Sequence, residues 1–395
     1  MQKNTYKNNI TIIGGCGHIG LPLGILFANK GINVTLYDKN YDVVKKINKS
    51  QLPFIEHKGE KLLRKNKKRI IATTNKNSIS KSNVVIVCIG TPVKNSKPDL
   101  FYFFKLFKEI KDLLKADQLL IIRSSIYPGT CRKIYHFLGK EFTNISYCPE
   151  RVVQGKSISE LPKLPQIISG ISNKSINESK KLFKLICKKI IITSILEAEL
   201  IKLFSNAWRY INFSISNEFY MICENLGIKF DQLRKNMIEG YERNKNIPTA
   251  GFAAGPCLYK DTAQLTSYLK KDFSLGKIST KINQRLPYFI YNQLLNKFKN
   301  NLKKKTIGIL GITFKADIDD TRDSLALELY NLLKVKKLKV VFSDHYESSL
   351  KKNLDKNKLI SKSDIIIIGA PHSIYKKIKI PKNKHLIDIW GFLEK

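Results

Sequence analysis

The chain is short of arginine, short of acid and without paired cysteines, and each shortage closes a line of interpretation. Its seven cysteines (Cys16, Cys88, Cys131, Cys148, Cys187, Cys223 and Cys257) are an odd number, scattered without CxxC pairs or histidines at zinc spacing. Neither a disulfide framework nor a structural metal is expected. Arginine supplies ten of the 70 basic residues, so lysine carries nearly all of the formal net charge of +38. That lysine runs from end to end alongside asparagine and isoleucine, the pattern of a compositional bias more than of a binding stripe. Specific readers of nucleic acid favour arginine at defined positions, so no nucleic-acid partner is expected, although the field attracts small anions. No uninterrupted apolar run is long enough to span a bilayer, and the start, MQKNTYKNNITIIGG, has no apolar leader core. The expectation is a cytoplasmic protein with no membrane partner.

What is present is a hydrophobic fraction of 43% in 395 residues, enough for two or three cores. NITIIGG is a β-branched run ending in glycines, LPLGILFANKGI has helical periodicity closed by Gly31, and NVTLYD is a second strand, so residues 9–38 form a βαβ unit. Further strands are expected at 83–92, 119–125, 145–150, 166–170 and 189–193, alternating with helices in a doubly wound parallel sheet. From about 196 a long amphipathic helix runs without glycine or proline until Gly227, and a helical middle continues to roughly 297. KKTIGILGITFK then restores a strand-to-turn pattern, followed by a helix from about 322 and strands in KVVFSD, SDIIIIGAP and HLIDIWG. The fold class is α/β, with two Rossmann-like doubly wound domains joined by a long helix and a helical middle domain. The expected domains are 1–197, 198–297 and 298–395.

Gly15-Cys16-Gly17-His18-Ile19-Gly20 is a GxGxxG placed after a strand and at the opening of a helix. In that setting the glycines permit a tight turn and close approach of backbone to a pyrophosphate, which sits on the positive helix end. Asp38, eighteen residues beyond Gly20, is positioned to accept the adenosine ribose hydroxyls and to repel a 2′-phosphate. NAD is the expected cofactor, with Lys39 as the residue that leaves NADP open. Thr91 and Ser125 close two later strands, where open α/β sheets bind ligands and where ordinary turn residues also fall.

In GFAAGPCLYKD, Cys257 is followed by Lys260 and Asp261, and the thiol reads equally as a nucleophile, a metal ligand or a small interior residue. Lys202 and Asn206 share a face of the long helix by their four-residue spacing. On their own they are a solvated lysine and a surface amide, but the apolar flanks of ELIKLFSNAW suggest that this face meets a neighbouring domain.

GCGHIGLPLG, CIGTP, SSIYPGT, CPER, EAELIKLFSNAWRYINFSISNE, GFAAGPCLYKD and GITFKADIDDTRDS follow one another in the order found in the nucleotide-sugar 6-dehydrogenases. Over nearly its whole length the chain resembles that family of UDP-glucose and UDP-N-acetylmannosamine dehydrogenases. The resemblance implies NAD-dependent oxidation of a sugar C6 hydroxymethyl group to a carboxylate in two hydride transfers, with the product feeding polysaccharide synthesis.

It also implies roles. Cys257 would attack the aldehyde to give a thiohemiacetal and then a thioester, with Lys260 favouring the thiolate. Lys202 and Asn206 would donate to the developing alkoxide, and Asp261 would orient water or Lys202. Glu150 would assist aldehyde handling and thioester hydrolysis. Gly251 and Phe252 of the cysteine loop, Lys315 and, across a homodimer, Arg243 are expected at the substrate. Lys260 and Arg322 are expected on the NAD side of a cleft between two facing α/β domains. The chain departs from the UDP-glucose branch where Ala253-Ala254-Gly255-Pro256 replaces Gly-Gly-Ser, which opens the identity of the sugar. Two rivals stand beside this reading: a single-hydride β-hydroxyacid dehydrogenase, which needs no thiol, and a non-catalytic polyanion-binding protein on the same fold.

Overall fold

The computed structural model describes residues 9–91, 93–94, 97–98, 100–347, 350 and 352–393, which form two compact units, Met1–Phe204 and Ser205–Lys395. In the first, strands β1 (Asn9–Ile13), β2 (Asn33–Tyr37), β3 (Ile70–Thr73) and β4 (Val84–Val87) precede a short antiparallel pair, β5 (Val93–Lys94) and β6 (Lys97–Pro98). Then come β7 (Leu119–Ile122), β8 (Ile145–Tyr147), β9 (Gln166–Gly170) and β10 (Ile190–Ile192). They assemble in the order β10-β9-β8-β7-β4-β1-β2-β3, so the chain crosses over between β1 and β4. The pairing of Ile10 with both Val34 and Val84 fixes the register there.

The central strands read NITII, VVIV and LLII because both faces of the sheet are covered and no polar face is required. Ile12, Leu36, Ile86 and Ile121 pack with Phe27 and Phe183 in one layer. Val85, Val87 and Ile122 pack with Phe103 and Phe107 in another. Fully burying each such side chain contributes about 1.5–3 kcal/mol against the unfolded chain.

Two features depart from the expected parallel sheet. Strand β3, flanked by lysines and with Ile71 63% exposed, is an edge strand that the apolar pattern alone did not mark. Strand β9 pairs antiparallel to β8, at Tyr147 with Ser169, because the chain between them holds only the one-turn helix Ser157–Glu160 and returns without a full crossover. The expected strand at 83–92 is shorter, ending at Val87, and its Pro92 lies outside the described residues.

The helix Ile195–Asn225 carries the chain into the second unit and ends at Gly227, whose φ of +71° is the left-handed conformation that closes helices. Strands β11 (Thr306–Leu310), β12 (Lys339–Ser343), β13 (Ile365–Ile368) and β14 (His385–Ile387) form a parallel sheet in the order β12-β11-β13-β14. Helices Ser274–Phe298 and Leu325–Val335 share one core with this sheet: Leu286, Ile290, Leu325 and Leu329 pack with Ile307, Ile309, Ile365 and Ile367. Among the described residues no helix is long and apolar enough to cross a membrane.

Candidate active site

In both units ligands are expected beyond the carboxyl ends of the strands where the order reverses, between β1 and β4 and between β11 and β13. At the first of these, the turn after β1 is drawn tight by Gly15, where a Cβ would lie 2.6 Å from the Ile12 carbonyl oxygen and 2.8 Å from the Leu36 Cα. A Cβ on Gly20 would lie 2.6 Å from the Gly14 oxygen, so helix Gly20–Asn29 reaches the turn only without one. Gly17 differs. Its Cβ would meet only the Gly14 oxygen, at 3.5 Å, and one on Gly90, after β4, would meet nothing within 4 Å. The crevice is therefore open on the sides a pyrophosphate needs, and the residues present fit a dinucleotide. Ile19 precedes the helix, and the His18 ring lies against Phe54 at 4.0 Å with Nε2 3.3 Å from Gln154 Nε2.

Asp38 ends β2 and accepts from the backbone N–H of Cys16 at 3.3 Å and of Asn40 at 3.1 Å, which turns its carboxylate toward the glycine loop. The neighbouring cation is diverted: Lys39 Nζ pairs with Glu109 at 2.9 Å. Thr91 and Ser125 come together, the buried Thr91 hydroxyl donating to the Ser125 carbonyl. Glu150 is buried, and its partner was not anticipated. The fully buried Arg123 pairs with one carboxylate oxygen, and the other accepts from the backbone N–H of Arg151 at 2.6 Å and of Val152 at 2.9 Å. Arg123 also donates to the Cys148 carbonyl at 2.9 Å and to Gln166 at 3.0 Å.

In the second unit Cys257 stands at the N-terminal end of helix Leu258–Leu269 and is the exposed cysteine. Its carbonyl accepts the helical bond from Asp261 N at 2.9 Å. A helix N-terminus favours negative charge, including that developing on an oxygen joined to the sulfur. Of the other thiols five are buried and Cys88 is half-buried: burial, aided by Asp38, pushes Cys16 up to about 12, and burial pushes Cys88 and Cys148 to about 12 and Cys187 to about 11.

The loop before Cys257 is anchored along its length. Asn217 on the long helix accepts from Gly251 N at 2.8 Å and donates to Asn283 at 2.8 Å, while Ser216 donates to the Pro248 carbonyl. Phe252 is buried beside Ala250 and Ala254 in the core. Gly255, at φ +92°, lies under the Phe314 ring, where a Cβ would come within 2.2 Å of Cδ2, and its N–H bonds the Asp323 carbonyl.

Asp261 is fully buried in the first turn of that helix. Asn206 Nδ2 donates to its Oδ2 at 2.6 Å, and Lys260 Nζ lies 3.2 Å from its Oδ1. The structure thus brings Asn206, Lys260 and Asp261 together at the helix that Cys257 begins, and Lys202 is buried one turn before Asn206 on the long helix. Arg322 is gripped by Asp320, Nε at 3.0 Å and Nη2 at 2.6 Å; that bond raises its pKa and burial opposes it. Lys315 is half-buried on the same loop, its carbonyl accepting from the Thr313 hydroxyl at 2.9 Å. Arg243 is exposed on the short turn Glu242–Asn244. Among the described residues no three His, Cys, Asp or Glu side chains are grouped to hold a metal ion.

Against known proteins, the chain matches three models of the UDP-glucose/GDP-mannose dehydrogenase family: the NAD binding domain over residues 8–187, the central domain over 196–285 and the UDP binding domain over 308–395. It is 32% identical to the UDP-N-acetyl-D-mannosamine dehydrogenase of Pyrococcus horikoshii, over 95% of this chain and 93% of that one. The solved structure of the UDP-D-ManNAc dehydrogenase from the same organism superposes with a TM-score of 0.90 at 30% identity, covering 98% of this chain and 96% of the other. The UDP-glucose 6-dehydrogenase of Rickettsia felis is 28% identical over 94% of this chain and 88% of that protein.

Proposed function

The chain belongs to the UDP-glucose/GDP-mannose dehydrogenase family, and from that premise we propose that it oxidises C6 of UDP-N-acetylmannosamine to the carboxylate through a thioester on Cys257. That it is an NAD-dependent nucleotide-sugar dehydrogenase follows from membership; the sugar, the carbon and the covalent route are the proposal. The observation that carries it is the exposed Cys257 at a helix N-terminus, one turn from the buried Asn206–Asp261 pair and the half-buried Lys260 beside it. The sugar is inferred from relatives that are named for UDP-N-acetylmannosamine, with UDP-glucose as the alternative named by others.

The Gly15–Gly20 turn and Asp38 would hold NAD, which would supply the hydride acceptor, one molecule for each of the two oxidations. The chain's own residues do the rest. In the first oxidation Lys202 and Asn206 donate to the developing alkoxide as the hydroxyl proton passes to water. The aldehyde carbon is trigonal and has to become tetrahedral before it can lose a second hydride. Cys257 sulfur adds to that carbon, forming a thiohemiacetal whose oxyanion is stabilised by the same donors. Loss of hydride leaves a thioester, and water cleaves the C–S bond to give the carboxylate and the free thiol. Asp261 holds Asn206 and Lys260 in place, and Glu150, oriented by Arg123, is the candidate base for hydrolysis. A single-hydride enzyme has no use for a thiol so placed.

The remaining proposals are the sequence division at 197 and 297, a cytoplasmic location and a homodimer, with Arg243 reaching the partner's substrate. The dimer is supported by Trp208, Ile215, Phe219 and Ile222, all exposed along one helix, with Trp208 at 68%. Such a stripe normally marks a contact surface, and sedimentation of wild type against Trp208→Asp tests it, a single monomeric mass for both refuting the dimer.

The activity test measures NADH formed per nucleotide sugar consumed, on UDP-N-acetylmannosamine, UDP-glucose, UDP-N-acetylglucosamine and GDP-mannose, for wild type and Cys257→Ala. Two NADH per UDP-N-acetylmannosamine, with turnover lost in the variant, supports the reading. One NADH with no dependence on Cys257 replaces it with single-hydride chemistry, and no turnover of any sugar favours a binding protein.

A further inference from the structure

The second unit contains a buried polar hub that the mechanism above leaves unused. His372, in the turn after β13, is fully buried, and so is Asp344, at the end of β12. The His372 Nε2 lies 3.0 Å from Asp344 Oδ2 and 3.3 Å from the Thr313 hydroxyl. Its Nδ1 accepts from the backbone N–H of Asp317 at 2.9 Å. An imidazole nitrogen that accepts carries no proton, so the ring is the neutral Nε2–H tautomer, donating toward Asp344. Tyr346 and Tyr375 pack on the ring, their centroids 4.9 and 5.3 Å away.

Asp344 binds back to the same loop, accepting from Ile312 N at 2.7 Å and Thr313 N at 3.2 Å, and from Tyr346 N and Glu347 N on its other oxygen. Burial pushes this carboxyl up, but the His372 hydrogen bond and the backbone donors outweigh it and hold it below the ordinary value. The Thr313 hydroxyl donates in turn to the Lys315 carbonyl. On the far side of Lys315, Asp317 sits at φ +59°, uncommon for a residue with a side chain, and its carboxylate accepts from Ser373 N at 2.8 Å. Lys315 is thus bracketed: Thr313 fixes its carbonyl from one side and the Asp317 N–H fixes the chain on the other, and both groups bond to His372.

We propose that His372 is a positioning residue for substrate binding, a neutral latch that joins the ends of three strands to the Lys315 loop. This rests on the reading of Lys315 as a contact of the nucleotide sugar. Because His372 acts on the loop, its loss should change affinity for the sugar nucleotide and leave the NAD site alone.

Two amide variants separate its two arms. In His372→Asn the side-chain oxygen occupies the place of Nδ1 and still accepts from Asp317, whereas His372→Gln places its amide near Nε2, keeps Asp344 and abandons Asp317. KM for UDP-N-acetylmannosamine, KM for NAD and kcat are measured on the full chain for both, and for Thr313→Val and Lys315→Ala, with melting temperatures as a control on folding. The latch predicts that His372→Gln and Thr313→Val raise the sugar-nucleotide KM about five- to tenfold, the worth of one lost hydrogen bond, with NAD KM and kcat held. His372→Asn stays within about twofold of wild type, the rescue that a bulk structural role would not give. Equal effects of Asn and Gln, or losses in kcat and NAD KM alone, overturn the latch. Lys315→Ala with an unchanged sugar-nucleotide KM removes the underlying reading instead, and a Lys315 effect beside a wild-type His372→Gln removes the latch while keeping that reading.

Discussion

Removing Asn206 should cost activity in a manner coupled to Asp261. In Asn206→Ala the Asp261 Oδ2, fully buried, loses the donor that stands 2.6 Å away, while Lys260 stays 3.2 Å from the other oxygen. A hydrogen bond to a charged group contributes about 1.5–3 kcal/mol. The retained lysine keeps the cost below the roughly 3–5 kcal/mol of a buried charge left without any partner. In the proposed reaction Asn206 is also a donor to the alkoxide and the thiohemiacetal oxyanion, and losing one such donor typically lowers kcat by about 10²–10³. If the two effects are one arrangement, Asp261→Ala frees Asn206 to rotate and already forfeits most of that gain. The assay is kcat/KM for NADH formation at saturating NAD in wild type, Asn206→Ala, Asp261→Ala and the double variant. The double variant should be at least about tenfold more active than the product of the single losses predicts, a coupling of about 1.4 kcal/mol or more. Additivity within about 0.5 kcal/mol would refute the reasoning, because residues that share a working hydrogen bond cannot be independent.

Brief iodoacetamide treatment of the native enzyme should alkylate Cys257 first, since burial holds Cys16, Cys88 and Cys148 near 12 and Cys187 near 11 while Cys257 is exposed. Peptide mapping that finds another cysteine modified first contradicts the interior placement of those thiols. Gly255→Ala forces a Cβ toward Phe314 at a positive φ, so about 1–3 kcal/mol of strain is expected in the loop before Cys257, seen as lowered kcat/KM with an intact NAD affinity. A variant with wild-type kinetics would mean that the loop yields freely. Asp344 has a depressed folded pKa, so its stabilising contribution is present above the unfolded value of about 3.9 and is lost as pH falls through the folded one. Unfolding followed between about pH 5 and 2 should therefore show a loss of stability in wild type that is smaller in Asp344→Asn; parallel curves would rule this out.

Much of this protein was legible in the order of its residues. The β-branched runs, the glycines at 15, 17 and 20, and Asp38 needed only the period of a strand and the geometry of a tight turn. Thr91 and Ser125 were read as strand ends; the strands stop at Val87 and Ile122, and in the segments that follow the Thr91 hydroxyl donates to the Ser125 carbonyl. Cys257, Lys260 and Asp261 lie within five residues, and Lys202 and Asn206 within one helical turn, so local spacing grouped them, and the resemblance to the family made them candidates. What the sequence could not hold was partnership between distant positions. Strand β9 reverses because of how the preceding loop returns, and edge strand β3 is recognised only by what it pairs with. Nothing near Glu150 in sequence announces Arg123, nor does anything near Lys315 announce Asp344 or His372. These are buried polar groups whose hydrogen bonds must be met inside the fold, and their partners are chosen by which strand ends the sheet order brings together. Apolar periodicity and glycine geometry are local, so sequence determined them; satisfaction of buried charge is a long-range condition, and only the tertiary structure decided it.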